Sequence, residues 1–183
     1  ITLDRVAYRK VYWHAYQAMN ARFAETVLDE LRDKPGFVWV HDFHLALLPG
    51  LIKASLPNQP VACFWHTPWP GPDVFRILPE RRELIVSLLA SDVLMFQTPG
   101  FLHAFLECVR EFLNPDVGTN EHTIEHKGRR TRLVAHPISV SYQALSERAR
   151  SPYVERAMDV LRKLHVFQPE TRIGLGVDRL DYT

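Results

Sequence analysis

Phe37-Val38-Trp39-Val40-His41-Asp42-Phe43-His44 is the stretch on which the fold turns. Four apolar residues in succession follow the breaker Lys34-Pro35-Gly36, which is the pattern of a short strand covered on both faces. Polar residues begin the moment the apolar run stops. Upstream, Tyr16, Met19, Phe23, Val27 and Leu31 recur every three or four positions and predict an amphipathic helix over 11–31. Downstream, the pattern predicts a helix from about 45 to 56, with Pro49 tolerated in its first turns. A second buried strand is expected at 61–65, bracketed by Pro57 and Pro60, then a proline-rich loop over 66–72.

The alternation continues with a helix near 81–90 and a strand at 92–96. A strongly apolar helix follows, carrying Phe101, Phe105, Val109 and Phe112. Residues 114–131 read as polar and loop-like, with a hairpin turning at Lys127-Gly128, and 133–135 as a strand ended by His136-Pro137. Ser151-Pro152 is a helix start, with serine as cap and proline at the first helical position. Val154, Ala157, Met158, Leu161 and Leu164 form its apolar stripe, and 173–177 reads as a last strand. Strand–helix alternation of this kind predicts an α/β fold, a parallel sheet with helices on both faces. After Val140 the composition turns to charged and small residues, which makes 140–151 the natural linker.

Composition narrows the function. Of 183 residues, 46% are hydrophobic and 23% charged, with a formal net charge of +1, so no bulk charge draws the chain to nucleic acid or an anionic membrane. No apolar run approaches the roughly 18 residues of a membrane span. Cys63 and Cys108 lie inside apolar runs and read as reduced, buried thiols of a cytosolic protein. The chain starts at Ile1 without a methionine, and the expectation is a segment of something longer.

Open parallel sheets bind ligands at the carboxyl ends of their strands, and each predicted strand here runs into polar or Pro/Gly-rich sequence. The clusters are His41-Asp42-Phe43-His44, His66-Thr67-Pro68-Trp69-Pro70, Gln97-Thr98-Pro99-Gly100 and Asp178-Arg179-Leu180-Asp181. His41 and His44 have metal-like spacing but no third ligand nearby, so strand-end hydrogen bonding is preferred to a metal site. Asp42 either holds sugar hydroxyls, or serves as a base, or caps the following helix. His66, set between Trp65 and Trp69, is either presented by an aromatic carbohydrate-binding loop or bonded to a backbone carbonyl in a packed one. Lys127, Arg129, Arg130 and Arg132 form a solvated hairpin tip or a phosphate or nucleic-acid patch. Arg179 makes a salt bridge with Asp178 or Asp181, or forks onto a phosphate. Gly174-Leu175-Gly176 lies within a strand and is no dinucleotide fingerprint.

Taken together, Val40-His41-Asp42-Phe43-His44-Leu45, His66-Thr67-Pro68-Trp69-Pro70, Asp73-Val74-Phe75-Arg76, Phe96-Gln97-Thr98 and Gly176-Val177-Asp178-Arg179-Leu180-Asp181-Tyr182-Thr183 resemble the trehalose-6-phosphate synthase family. The helix with Asn20 and Phe23-Ala24 fits it too. The resemblance implies a GT-B glycosyltransferase of two Rossmann-like domains: residues 1–140 as part of the acceptor-side domain, 141–150 as linker, and 151–183 as the start of the nucleotide-sugar domain. It implies glucose transfer, with retention, from a nucleotide-glucose (UDP-glucose favoured) to glucose 6-phosphate, with no metal and no cofactor. Asp42 then holds the acceptor's hydroxyls, His66 sits at the donor glucose, and Arg179 binds the donor phosphates. Partners are these small molecules, with neither nucleic acid nor membrane; a homo-oligomer is compatible.

Departures from the family pattern are Phe43 for tyrosine, Trp69 for phenylalanine, and Ser139 where glycine is usual after Pro137-Ile138. The family's second phosphate clamp, a lysine, would follow Thr183, so the 183 residues alone are expected to be inactive. Glucosylglycerol-phosphate synthesis and a non-catalytic sugar-phosphate-binding relative are the competing expectations.

Overall fold

The computed structural model describes residues 8–34, 36–113, 118–119, 122–164, 170–172, 174 and 176. Two compact units divide after Ile138. The first contains α1 (Lys10–Leu31), β1 (Val38–His41), a 3₁₀ turn (Phe43–Leu45), α2 (Leu48–Ser55), β2 (Val61–Trp65), α3 (Pro72–Phe75), α4 (Arg81–Leu88), β3 (Val93–Phe96), α5 (Pro99–Leu113), β4 (Gly118–Thr119), β5 (Thr123–His126) and β6 (Arg129–Ala135).

The strands form one sheet in the order β1-β2-β3-β6-β5-β4. β1, β2, β3 and β6 are mutually parallel, with Val40 opposite Cys63, Cys63 opposite Leu94 and Leu94 opposite Leu133. β5 and β4 add on antiparallel. The stretch 114–131 is therefore not simply a loop, since Ile124 is fully buried and β5 pairs along β6. The turn falls at Lys127-Gly128, both with positive φ (49° and 74°). That is the mirror-image turn whose twist matches a hairpin.

Among the described residues, the helices that share a core with the sheet lie on one of its faces. β1→β2→β3→β6 steps always in the same direction, and right-handed crossovers deliver the connecting helices to the same side. Val38, Val40, Val61, Cys63, Trp65, Leu94, Phe96 and Leu133 point to that side and join Ile52, Leu88, Phe105 and Val109 in a single core. Each fully buried aliphatic or aromatic side chain there contributes about 1.5–3 kcal/mol. β2, flanked by β1 and β3, is buried at every position. In β1 burial alternates, and Trp39 is 54% exposed, so the strand predicted to be covered on both faces is covered on one.

α2 and α4 approach closely through Gly50, whose backbone N–H donates to Ser87 Oγ (3.1 Å). A Cβ at Gly50 would fall 2.8 Å from that oxygen. At the amino ends of β2 and β3, Lys53 Nζ reaches both oxygens of Asp92 at 2.8 Å, and Asp92 Oδ2 also accepts from Val61 N at 2.8 Å.

The second unit begins at Ser139. Here the expected linker is in fact helical: α6 spans Tyr142–Ala149, capped by Ser141 Oγ, which accepts from Ala144 N at 3.3 Å. α7 spans Pro152–Leu164, with Ser151 Oγ accepting from Val154 N. The strand expected at 173–177, for the most part, and Asp178, Arg179 and Asp181 lie outside the described residues.

Candidate active site

The carboxyl ends of β1, β2 and β3 gather the polar clusters as the pattern predicts. Asp42 follows β1 directly and adopts φ 65°, ψ −179°. This region of backbone space is open to glycine almost alone, and a side chain there costs on the order of 1–3 kcal/mol. Two bonds hold it: Asp42 N donates to Phe64 O (2.7 Å), and His66 N donates to Asp42 Oδ1 (3.2 Å). Asp42 therefore does not cap the next turn, which has no side-chain cap. Its carboxylate bridges to the loop after β2, which leaves Oδ2 for another donor.

His66 departs from the packed-loop reading. Its Nε2 lies 2.8 Å from His41 Nδ1, so its partner is a second imidazole and not a carbonyl. The two rings are within 23° of parallel with centroids 5.1 Å apart, the edge-to-edge placement of an in-plane hydrogen bond, with Phe64 stacked on His66 and Trp39 tilted against His41. Trp65 and Trp69 do not frame a sugar site. Both are buried and meet edge-to-face at 4.6 Å, and Trp69 packs on Phe75 and Phe105. The loop is thus packed on its tryptophan side and open at His66. Trp69 Nε1 donates to Cys108 Sγ at 3.3 Å, and that sulfur donates to Pro70 O at 3.5 Å, which ties the loop to α5.

Residues of α1 brace the Asp42 turn from behind, a role that their helical periodicity gave no sign of. Asn20 is fully buried. Its Nδ2 donates to Tyr16 O and His44 O, and its Oδ1 accepts from Leu47 N. Tyr16 OH donates to Phe43 O (2.6 Å) and accepts from Ala46 N (3.0 Å). Burial pushes the Tyr16 phenol above its ordinary value, partly offset by the Ala46 amide and Asn20. Burial also pushes the Cys63 thiol up to about 12, with the Asp42 carboxylate acting in the same direction, so this thiol is inert.

The other clusters take structural parts. Gln97 Oε1 accepts from Ile138 N, and Thr98 Oγ1 from Phe101 N at the start of α5. His44 stacks on Phe43. Among the described residues no three His, Cys, Asp or Glu side chains converge as metal ligands. In the basic run, Arg130 pairs with its cross-strand neighbour Glu125 (2.6 Å) and Arg129 Nη1 donates to Pro57 O, as a hairpin tip would. Among the described residues no helix is long and apolar enough to cross a membrane.

A mostly parallel sheet with a strained aspartate and a histidine pair on its carboxyl rim is the Rossmann-like architecture of GT-B glycosyltransferases. A family model described as Glycosyltransferase family 20 matches residues 2–183, and the chain belongs to that family. Among relatives, it is 33% identical to an alpha,alpha-trehalose-phosphate synthase [UDP-forming] of Pichia angusta, over 94% of this chain and 36% of the relative. A structure from E. coli bound with UDP-2-fluoro glucose superposes with a TM-score of 0.76 at 29% identity, covering 88% of this chain and 36% of that one. The synthase of Burkholderia xenovorans in complex with glucose-6-phosphate gives 0.76 at 28% identity, over 87% and 35%. The chain thus spans about a third of the length of the relatives it matches.

Proposed function

We propose that the protein is an alpha,alpha-trehalose-phosphate synthase. It transfers glucose from UDP-glucose to glucose 6-phosphate with retention, giving trehalose 6-phosphate. The observation that carries the reading is the Asp42–His66 bridge: a carboxylate kept in glycine-only backbone at a strand's carboxyl end, tied to the histidine loop. Strain of this kind persists where the surrounding structure over-determines it, and such places cluster at functional sites. The similarity to alpha,alpha-trehalose-phosphate synthases, and the sugar nucleotide and sugar phosphate bound in two of the solved structures, support the same substrates.

In this reading Asp42 Oδ2 accepts a hydroxyl of the acceptor sugar and orients it. His66 meets the donor glucose and supports the charge that develops as the glycosidic bond to phosphate breaks. Arg179 holds the donor phosphates, and the leaving phosphate takes the acceptor's proton. The rate then comes from orientation and preorganised electrostatics. In this scheme Arg179 offsets the charge of the departing phosphates, and no metal or cofactor is invoked. Residues 1–140 would belong to the acceptor-side domain, 141–150 to a helical connector and 151–183 to the start of the donor domain. We read the compartment as cytoplasmic, in keeping with two free, buried cysteines.

The test is a product assay on the longest form of the protein its gene encodes. UDP-, ADP- and GDP-glucose are offered against glucose 6-phosphate and glycerol 3-phosphate, with products identified by mass. A disaccharide phosphate from UDP-glucose is expected. Glucosylglycerol phosphate would move the acceptor, and no product from any pair would overturn catalysis altogether.

A further inference from the structure

We infer that His41 is a positioning residue for His66, holding the plane and the tautomer of its ring through the Nδ1···Nε2 hydrogen bond. His41 closes β1 opposite Phe64, so the sheet register itself brings its ring beside the residue that follows β2. The tilted Trp39 ring packs on the His41 ring (centroids 4.7 Å, 40°), and the hydrogen bond to His66 holds its edge, so the His41 ring is fixed from two sides. The His66 amide is meanwhile pinned to Asp42, so backbone and ring of His66 are both constrained.

The chemistry follows from counting hydrogens. A bond between two imidazoles needs one N–H and one lone pair. With Nε2 engaged by His41, the polar ring atom left to His66 is Nδ1. If Nδ1 is to donate to a sugar hydroxyl oxygen from a neutral ring, Nε2 must accept, and His41 must carry its hydrogen on Nδ1. The bond couples the two tautomers, and with His41 as the donor it holds His66 in its Nδ1–H form, as outer partners do for other functional histidines. The link from this pair to glucose rests on the proposed transfer reaction; the pairing itself does not.

The experiment uses the longest encoded form of the protein, labelled with ¹⁵N in its histidine rings, and compares it with His41→Phe and His41→Asn. Phenylalanine keeps an aromatic ring and removes the bond; the asparagine side chain places an amide near the position of Nδ1. Long-range ¹H–¹⁵N spectra should show His66 as the Nδ1–H form in the parent and as a mixture of tautomers in His41→Phe. His41→Phe should lower kcat about 10- to 100-fold with donor KM changed less than about threefold, and His41→Asn should recover most of the loss. A His66 spectrum indifferent to His41→Phe overturns the positioning role, whatever the activity. An inactive parent that still shows the tautomer change overturns the transfer reading and leaves the positioning intact.

Discussion

Two aspartates, at opposite ends of the same parallel strands, do opposite things. At the amino end, Asp92 takes the Lys53 ammonium on both oxygens and the Val61 amide on one, in ordinary backbone geometry. Its lysine partner is 5% exposed while the aspartate side chain is half exposed, so the pair is a structural clamp that covers the lysine. At the carboxyl end, Asp42 holds a single amide at 3.2 Å, leaves an oxygen open, and sits where only glycine is at ease. The same residue type is fully satisfied at one pole and strained and under-used at the other. That asymmetry is what a reaction needs at the rim of such a sheet, and what stability needs at its base.

The comparison can be broken most sharply at Asp42. Asp42→Gly should abolish turnover, by about 10³-fold or more in kcat/KM of the full-length protein. It should leave the midpoint of urea unfolding unchanged or raise it, because the removed strain of about 1–3 kcal/mol matches or exceeds one long, part-buried hydrogen bond. A variant that loses stability along with activity would show that Asp42 is structural after all. Asp92→Ala should do the reverse, costing about 2–3 kcal/mol by leaving Lys53 buried without its anion, measured by the same unfolding curve. The double variant Lys53→Met, Asp92→Ala should recover most of that loss, since no uncompensated charge remains.

Trp69→Phe sharpens the rim further. It keeps the ring in the core but removes the N–H that Cys108 accepts, and the expected cost is about 1 kcal/mol with a modest fall in kcat. The smallest effect belongs to the base of the sheet. Burial, then Lys127 and Arg82, lowers the His126 pKa below its ordinary 6.5. The folded chain therefore binds fewer protons than the unfolded one below that value, and stability should fall as pH drops below about 6.5. His126→Gln should flatten that acid slope in thermal melts between pH 7 and 5, with no change above it.

The parts of this fold that sequence made legible are those where burial speaks directly. The apolar runs read at 37–40, 61–65 and 92–96 fold as β1 (Val38–His41), β2 (Val61–Trp65) and β3 (Val93–Phe96), each too short and too closely bracketed by breakers for a helix, and Lys127-Gly128 announces its turn by residue type. What sequence concealed depends on spatial order. That β1, β2, β3 and β6 step one way, leaving Trp39 exposed, is invisible to periodicity. β5 was hidden inside polar sequence because one buried residue, Ile124, suffices for an edge pairing. α6 had a readable signal in Ser141, which the charged composition obscured. At the site, Asp42 and His66 stood out by position, whereas the His41 bond needed the register and the Asn20 brace needed the packing of α1. The backbone angle of Asp42 has no sequence signature at all.

That angle also bears on how such a gene drifts. Aspartate codons lie one transition from glycine codons, so the substitution that relaxes the turn is among the most accessible at this position. A lineage that no longer needed the reaction would slide toward glycine quickly and gain a sturdier protein as it did. Asp42 in its uncomfortable backbone is therefore a short-lived mark, renewed only while selection renews it.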